Sequence, residues 1–421
     1  MRLKPILNHE ERFSPDRYIS FAVCFQVTIV GIKNALVQAV PSLYALNNTL
    51  NMVLLVIVAV AYINAIAKSG GRFVRLRADV FAVLAIVFSS LLFSSVFFPG
   101  NGKIIMSWMP RMLPYCFITF LFLAELKLLK WIEYYMIRFC YFTIVFSLIS
   151  AFYIYRIGHI TSSTWSSYSM PLSYVTLVAV MWLLYKFFRK ESLMDFIFIL
   201  IGLIVIIAYG SRNPLLAIAA YIVIQTIRNA RNSCIKGSRR FLYLLGCILI
   251  VVMALMWRQM VVEFTKILSL FSINSRTLTL LSQSTISTSG RDVIHSALWD
   301  LLNQKPLFGL GVGGDVSLIN ESAHGLYLSL LTSYGYILGG IAIVAILFIC
   351  TKAFLSSNGI NREIVLIYIC MVLPRGFTGG DMWTSDVFWW MLGLCLSAMH
   401  IIDMEQNDLE YKQNDQSIAY N

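Results

Sequence analysis

Long apolar runs, separated by short basic or glycine-marked breaks, repeat along nearly the whole chain. They lie near residues 18–40, 43–67, 79–98, 106–124, 133–155, 171–188, 193–210, 214–227, 241–257, 325–350, 363–375 and 387–403. About 20 apolar residues in helical form cross the roughly 30 Å hydrocarbon of a bilayer. The pattern therefore predicts an all-α, polytopic integral membrane protein with about 12 transmembrane helices; the run at 214–227 is short. Segment 1–257 carries nine of these runs, 324–404 carries three, and 405–421 is a polar tail without an apolar period, expected to be a disordered end. Between them Arg258–Ala323 is one long extramembrane loop with elements of its own. Trp257–Leu270 extends an apolar-periodic helix, and Ser282–Gly290 is a Ser/Thr-rich connector ending in a turn. Over Arg291–Asn303 the residues Val293, Ile294, Ala297, Leu298, Leu301 and Leu302 recur at helical spacing, so an amphipathic helix is expected there, able to lie at the membrane face over a cavity between spans. Lys305-Pro306 stops it, because proline lacks an amide donor and disfavours helix in the residue before it.

Composition agrees with the pattern: with 58% hydrophobic residues and a mean hydropathy of +0.75, the apolar surface exceeds what one soluble core of this length buries. The net charge of +12 changes the picture through its distribution. Arg2, Lys4, Arg12 and Arg17 precede the first run, Lys68, Arg72, Arg75 and Arg77 follow the second, Lys186, Arg189 and Lys190 the sixth, and Arg228, Arg231, Lys236, Arg239 and Arg240 the eighth. The positive-inside rule puts these breaks and both termini in the cytoplasm and the long loop outside. Most cations thus face anionic headgroups, and no basic, aromatic-interleaved module outside the membrane points to nucleic acid. The charged N-terminus has no early apolar stretch before a small-residue cleavage site, so no removable signal peptide is expected. The eight cysteines are scattered, nearly all in apolar runs, as small core residues are, and no His/Cys or aspartate-rich cluster suggests a metal. The site is expected to work without metal or cofactor.

Two arginines and a histidine fall at the external face. Arg212 interrupts an apolar run in Tyr-Gly-Ser-Arg-Asn-Pro, Arg291 sits in Ser-Gly-Arg-Asp, and His324 opens His-Gly-Leu-Tyr-Leu. Charge in a bilayer interior costs about 2.5 kcal/mol or more per residue, so a shared reason for keeping them is an anionic-substrate site. Each alone also has a plainer reading. Arg212 can snorkel at a helix end, Arg291 can be a solvated charge beside Asp292, and His324 can cap its span. Asp315 and Glu321 are nearby carboxylates that can serve as a substitute base. The turn Pro374–Asp386 offers Arg375, Asp381, Trp383 and Asp386 to sugar hydroxyls or phosphate; alternatively it is a tight turn with an Arg375–Asp386 pair and Trp383, Trp389 and Trp390 in the interfacial belt. The run Gly309–Gly314 has no Gly-Lys-Ser/Thr ending, so it is read as a close-packing loop and not a phosphate cradle. His159 and His295 look like ordinary loop residues, and Trp165, Tyr168 and Tyr174 either line a sugar path or sit at the interface.

Taken in order, Tyr-Gly-Ser-Arg212, Ser-Gly-Arg291-Asp, Lys-Pro-Leu-Phe-Gly-Leu-Gly-Val-Gly and His324-Gly-Leu-Tyr-Leu resemble the superfamily of bacterial O-antigen polymerases (Wzy type) and O-antigen ligases (WaaL type). The resemblance covers about Ile204–Gly340 by motif and the whole chain by topology. It implies an inner-membrane glycosyltransferase of the GT-C kind that uses undecaprenyl-diphosphate-linked oligosaccharide at the periplasmic face, working beside a chain-length regulator and a flippase. The family's essential arginines fall on Arg212 and Arg291 and its histidine on His324. Ligases commonly have Asn, Ser or Gln after that histidine, whereas Gly325 stands here, which tilts the reading to the polymerase.

The chemistry points the same way. A diphosphate leaving group needs charge stabilisation, which guanidinium groups give through paired hydrogen bonds. The attacking sugar hydroxyl must lose a proton, which neutral histidine can accept. The competing class, a twelve-span transporter, predicts two similar halves and charges at the bilayer midplane, and neither pattern is visible.

Overall fold

The structure of the chain, a computed structural model, describes residues 14–39, 43, 45–71, 73, 76–161, 170–209, 211, 213–231, 266 and 291–419. Among them every regular element is helical. In chain order these are α1 (Pro15–Ala39), α2 (Asn47–Lys68), α3 (Ala78–Phe97), α4 (Pro99–Ala124), α5 (Lys130–Thr161), α6 (Met170–Lys190), α7 (Leu193–Ala208), α8 (Asn213–Arg231), α9 (Arg291–Gln304), α10 (Gly314–Ile319), α11 (Leu326–Ser356), α12 (Gly359–Val372), α13 (Arg375–Thr378) and α14 (Asp386–Ala419). Among the described residues six helices are long and apolar enough to cross a membrane: α2, α3, α4, Lys130–Tyr153 within α5, Pro171–Lys190 within α6, and α11. The expected runs at 18–40, 193–210, 214–227, 363–375 and 387–403 fall on α1, α7, α8, α12 and α14. The run at 241–257 lies outside the described residues, as do Arg212, the connector to Gly290 and the extension Trp257–Leu270 apart from Lys266.

Two segments are more regular than the pattern suggests. The break 99–105 between two expected runs is helical and forms the first part of α4, because Pro99 occupies the start of the helix, where its missing amide costs nothing. Downstream, Pro110 and Pro114 remove two donors four residues apart, and Met112–Phe117 widens to a π-helical turn; the Thr119 hydroxyl donates to the Pro114 carbonyl at 3.1 Å. The tail 405–421, expected to be disordered, continues α14 to Ala419. Glu405, Glu410, Lys412 and Gln413 are good helix formers, and a helix already nucleated by its apolar part extends through them residue by residue.

The chain forms two units. One comprises 25–55 and 136–290, and in it a fully buried Asp195 at the start of α7 takes the Lys186 ammonium at 2.9 Å and the Tyr141 hydroxyl, fastening α5, α6 and α7 to one another. The other comprises 1–24, 56–135 and 291–421, and it holds all of the candidate site residues except Arg212.

In that second unit α11 is broken at Gly335, whose backbone (φ 80°, ψ 179°) is not helical. A break inside a helix leaves amides and carbonyls without partners, which is costly where water is scarce. The glycine loop supplies the replacements: the amides of Leu310 and Gly311 donate to the carbonyls of Thr332 and Ser333 at 2.6 and 3.2 Å, and the Tyr336 amide donates to Pro306 O at 2.8 Å. Such backbone-to-backbone contact needs the absence of side chains. A Cβ on Gly335 would lie 2.4 Å from Leu307 O, and one on Gly309 (φ 65°) 2.5 Å from Thr332 O. Those glycines are thus used for close packing, and their neighbouring amides are already bonded to protein.

Candidate functional site

The helix expected over Arg291–Asn303 runs from Arg291 to Gln304 and stops ahead of Pro306. Its apolar face, Ile294, Leu298 and Leu301, packs on Leu310, Ala323 and Leu328, so α9 is fixed to the start of α11 by burial. Four residues after Arg291, on the same face of the helix, His295 Nε2 lies 3.1 Å from the Ala323 carbonyl. This pins the N-terminal turn of α9 beside the residue that precedes His324.

The segment before α11 is held from the other side as well. Asp315, in the first turn of α10, is buried, and its Oδ2 accepts the Ala323 amide at 2.8 Å. The α10 helix ends at Asn320 in the left-handed region (φ 57°), and His324 is also left-handed (φ 48°). A non-glycine residue there is strained and persists only where its surroundings fix it. Here the fixing contacts are the two bonds at Ala323, to His295 and to Asp315. Gly325 is extended, and a Cβ on it would stand 3.2 Å from Gly376 O, so the small residue after His324 allows the Arg375–Thr378 turn to close over this point.

The His324 side chain is 36% exposed and reachable from solvent. Its Nε2 is 3.7 Å from Glu321 Oε2, and its Nδ1 is 3.4 Å from Ser322 Oγ. Partial burial and the Arg291 guanidinium push its pKa below the ordinary value, while Glu321 opposes them. The electrostatic coupling to Arg291 and His295 shows that three residues separated in sequence share one neighbourhood.

Beneath it, Asp381 is buried and accepts Ser329 Oγ at 2.9 Å and the amides of Trp383 and Thr384 at 3.2 and 3.3 Å. Burial raises its pKa. The turn is therefore folded inwards. Trp383, expected as a sugar contact or interfacial residue, is 1% exposed with its indole directed at Ser333 Oγ (3.4 Å), and Trp389 and Trp390 are equally buried. Asp386 starts α14, its Oδ1 accepting the Val387 amide at 3.0 Å, and Arg375 packs its guanidinium against Gly380. Of the expected site residues, the structure groups His324, Arg291, Glu321 and Asp315. Arg375, Trp383 and Asp386 belong to the inward turn, and Arg212 lies outside the described residues. His295, read as an ordinary loop residue, joins the group; its spacing of four from Arg291 on an expected helix was the available signal.

Asp315 carries a measurable consequence. Burial, and secondarily Asp381, raises its pKa from 3.8 to about 6. A carboxyl whose folded pKa is raised favours folding below its unfolded pKa and loses that contribution as pH rises through about 6. Asp315→Asn keeps an acceptor for the Ala323 amide without the buried charge. The variant is expected to be more stable than the parent at pH 7.5, by on the order of 2–3 kcal/mol, with the difference closing towards pH 4. Thermal unfolding of the detergent-solubilised proteins across pH measures this; a difference independent of pH would mean that the carboxylate is not under desolvation strain.

No protein-family model, curated protein or solved structure matches the chain.

Proposed function

We propose that the protein is a bacterial inner-membrane glycosyltransferase of the O-antigen polymerase kind. It moves a growing glycan from undecaprenyl diphosphate to a hydroxyl of an incoming lipid-linked repeat unit at the periplasmic face. In this reading the remaining apolar helices bring the crossings to about twelve, with both termini cytoplasmic. One observation carries the proposal: the sequence's candidate base, His324, is solvent-reachable, held in a strained conformation and electrostatically coupled to Arg291. A plain helix-capping histidine needs neither the strain nor a neighbouring cation that disfavours its protonation.

The residues then have complementary tasks. The Arg291 guanidinium, at the start of α9, faces the leaving diphosphate, where both its fork of donors and the positive end of the helix stabilise negative charge. With Nε2–H turned to Glu321, the Nδ1 lone pair of His324 takes the acceptor hydroxyl's proton. The acceptor oxygen bonds to the anomeric carbon as the carbon–oxygen bond to diphosphate breaks, and the electron pair leaves with undecaprenyl diphosphate.

The test is the lipopolysaccharide of a strain lacking the gene. A polymerase predicts loss of the ladder with a single repeat unit still attached to lipid A-core. Loss of every repeat unit from lipid A-core would make the protein the ligase, and an unchanged ladder would remove it from this pathway.

A further inference from the structure

The surroundings of α11 change at its break. Ahead of Gly335, the side chains of Leu328, Leu330, Thr332 and Ser333 are buried in the protein, whereas beyond it Ile337, Leu338, Ile341, Val344 and Phe348 are exposed. From Tyr336 to Ser356 the helix runs about 30 Å at 1.5 Å per residue, which matches the hydrocarbon thickness of a bilayer. The polar Ser356, Ser357 and Asn358 close its far end. The part beyond the break is thus a full span by itself, and Gly335 stands at the edge of the hydrocarbon.

A second apolar surface adjoins that edge, within the same unit of the chain. Leu307 and Phe308, 56% and 66% exposed, form the tip of the loop whose backbone is bonded to the break. Trp299, exposed on α9, stacks on Tyr336 with ring centres 6.1 Å apart and planes 13° from parallel, and the Tyr336 hydroxyl donates to Asn303 Oδ1 at 2.6 Å. Such rings, each an apolar body with one polar atom, collect where acyl chains meet water. Lys305, just before Pro306, is exposed, with Nζ 5.8 Å from the centre of the Phe98 ring. About 100° further round α9 the exposed residue is Asp300. The apolar tip and the aromatic pair therefore continue the exposed apolar face of α11, and the acidic residue is turned away from it. An apolar patch of this kind on a loop needs a cover other than water.

We infer that this surface is an anchor seated in the bilayer leaflet at that end of α11, with Leu307 and Phe308 among the acyl chains. Trp299 and Tyr336 then lie at the boundary with the headgroups, and Lys305 at headgroup level. The occupant of the patch is lipid, because the patch is continuous with the face of a span that lipid already covers. Asp300 faces water. The anchor fixes α9 at the membrane surface, and with it Arg291 and His295. It does not depend on the proposed transferase reading, since any substrate of this site would meet the same membrane-level loop.

The experiment places a nitroxide on the full chain in phosphatidylcholine nanodiscs, through Phe308→Cys, Leu307→Cys, Asp300→Cys or Ile341→Cys, each a change at an exposed side chain. Six native cysteines are buried, and Cys234→Ala with Cys247→Ala removes the other two. Spin relaxation by oxygen, which dissolves in acyl chains, is compared with relaxation by a water-soluble nickel chelate, which stays outside them. The oxygen-to-nickel ratio at the two tip positions is expected to exceed that in Asp300→Cys at least about fivefold and to approach that in Ile341→Cys, the reference on the span. A ratio at the tip equal to that in Asp300→Cys would put Leu307 and Phe308 in water and overturn the inference. Tip labels reached by neither reagent would show protein covering the patch, a second copy of the chain where dipolar broadening accompanies the protection, and would overturn it as well.

Discussion

His324→Ala is expected to slow glycan transfer by about 10²- to 10⁴-fold, the usual contribution of a positioned general base, while leaving binding of the lipid-linked donor near normal. The separation follows from the proposed division of labour, in which Arg291 faces the diphosphate and His324 the acceptor hydroxyl. The pH profile gives a second signature. A base works only when neutral, and burial together with Arg291 holds the His324 pKa below its ordinary 6.5. The parent should therefore keep full turnover at neutral pH and lose it only on acidification below that value. Donor affinity and single-turnover transfer, measured separately and across pH, check both statements. A variant that transfers at the parental rate would take His324 out of the chemistry, and one that fails in donor binding would make it a diphosphate contact.

Arg291→Lys should retain protein in the membrane yet reduce transfer by about 10- to 100-fold, because lysine supplies charge without the planar pair of donors. Arg291→Gln separates the two functions of that charge. Without the guanidinium one of the causes that lowers the His324 pKa is gone, so the acid limb of the rate profile should move upwards in Arg291→Gln and stay in place in Arg291→Lys. Comparable rates in all three proteins would reduce Arg291 to a surface charge, and a fixed acid limb in both variants would break the electrostatic link to His324.

What the sequence reveals and what it conceals divide along physical lines. The α9 helix was legible because its apolar spacing and the Lys305-Pro306 stop are local signals, and the same holds for the apolar spans α2, α3 and α11. The close-packing reading of Gly309–Gly314 was legible in kind, since no phosphate-loop ending follows. Its purpose was not: nothing local announces that α11 breaks at Gly335 and takes its replacement hydrogen bonds from that loop. His295 and Asp315 were obscure for a related reason. Both act through the backbone of Ala323, and a contact with a main-chain atom leaves no trace in residue type. Trp383 misled because a tryptophan near a membrane boundary suits an interface and a buried turn equally, and the choice was made by Asp381, which folds the turn inwards.

The most direct test of the central claim is transfer by the purified protein supplied only with undecaprenyl-diphosphate-linked repeat units, followed by mass analysis of the lipid-linked products. The account predicts products lengthened by whole repeat units with stoichiometric release of undecaprenyl diphosphate, both formed about 10²- to 10⁴-fold more slowly by the His324→Ala protein. Repeat units that stay unextended until lipid A-core is added, or extension that proceeds equally well without His324, would contradict it.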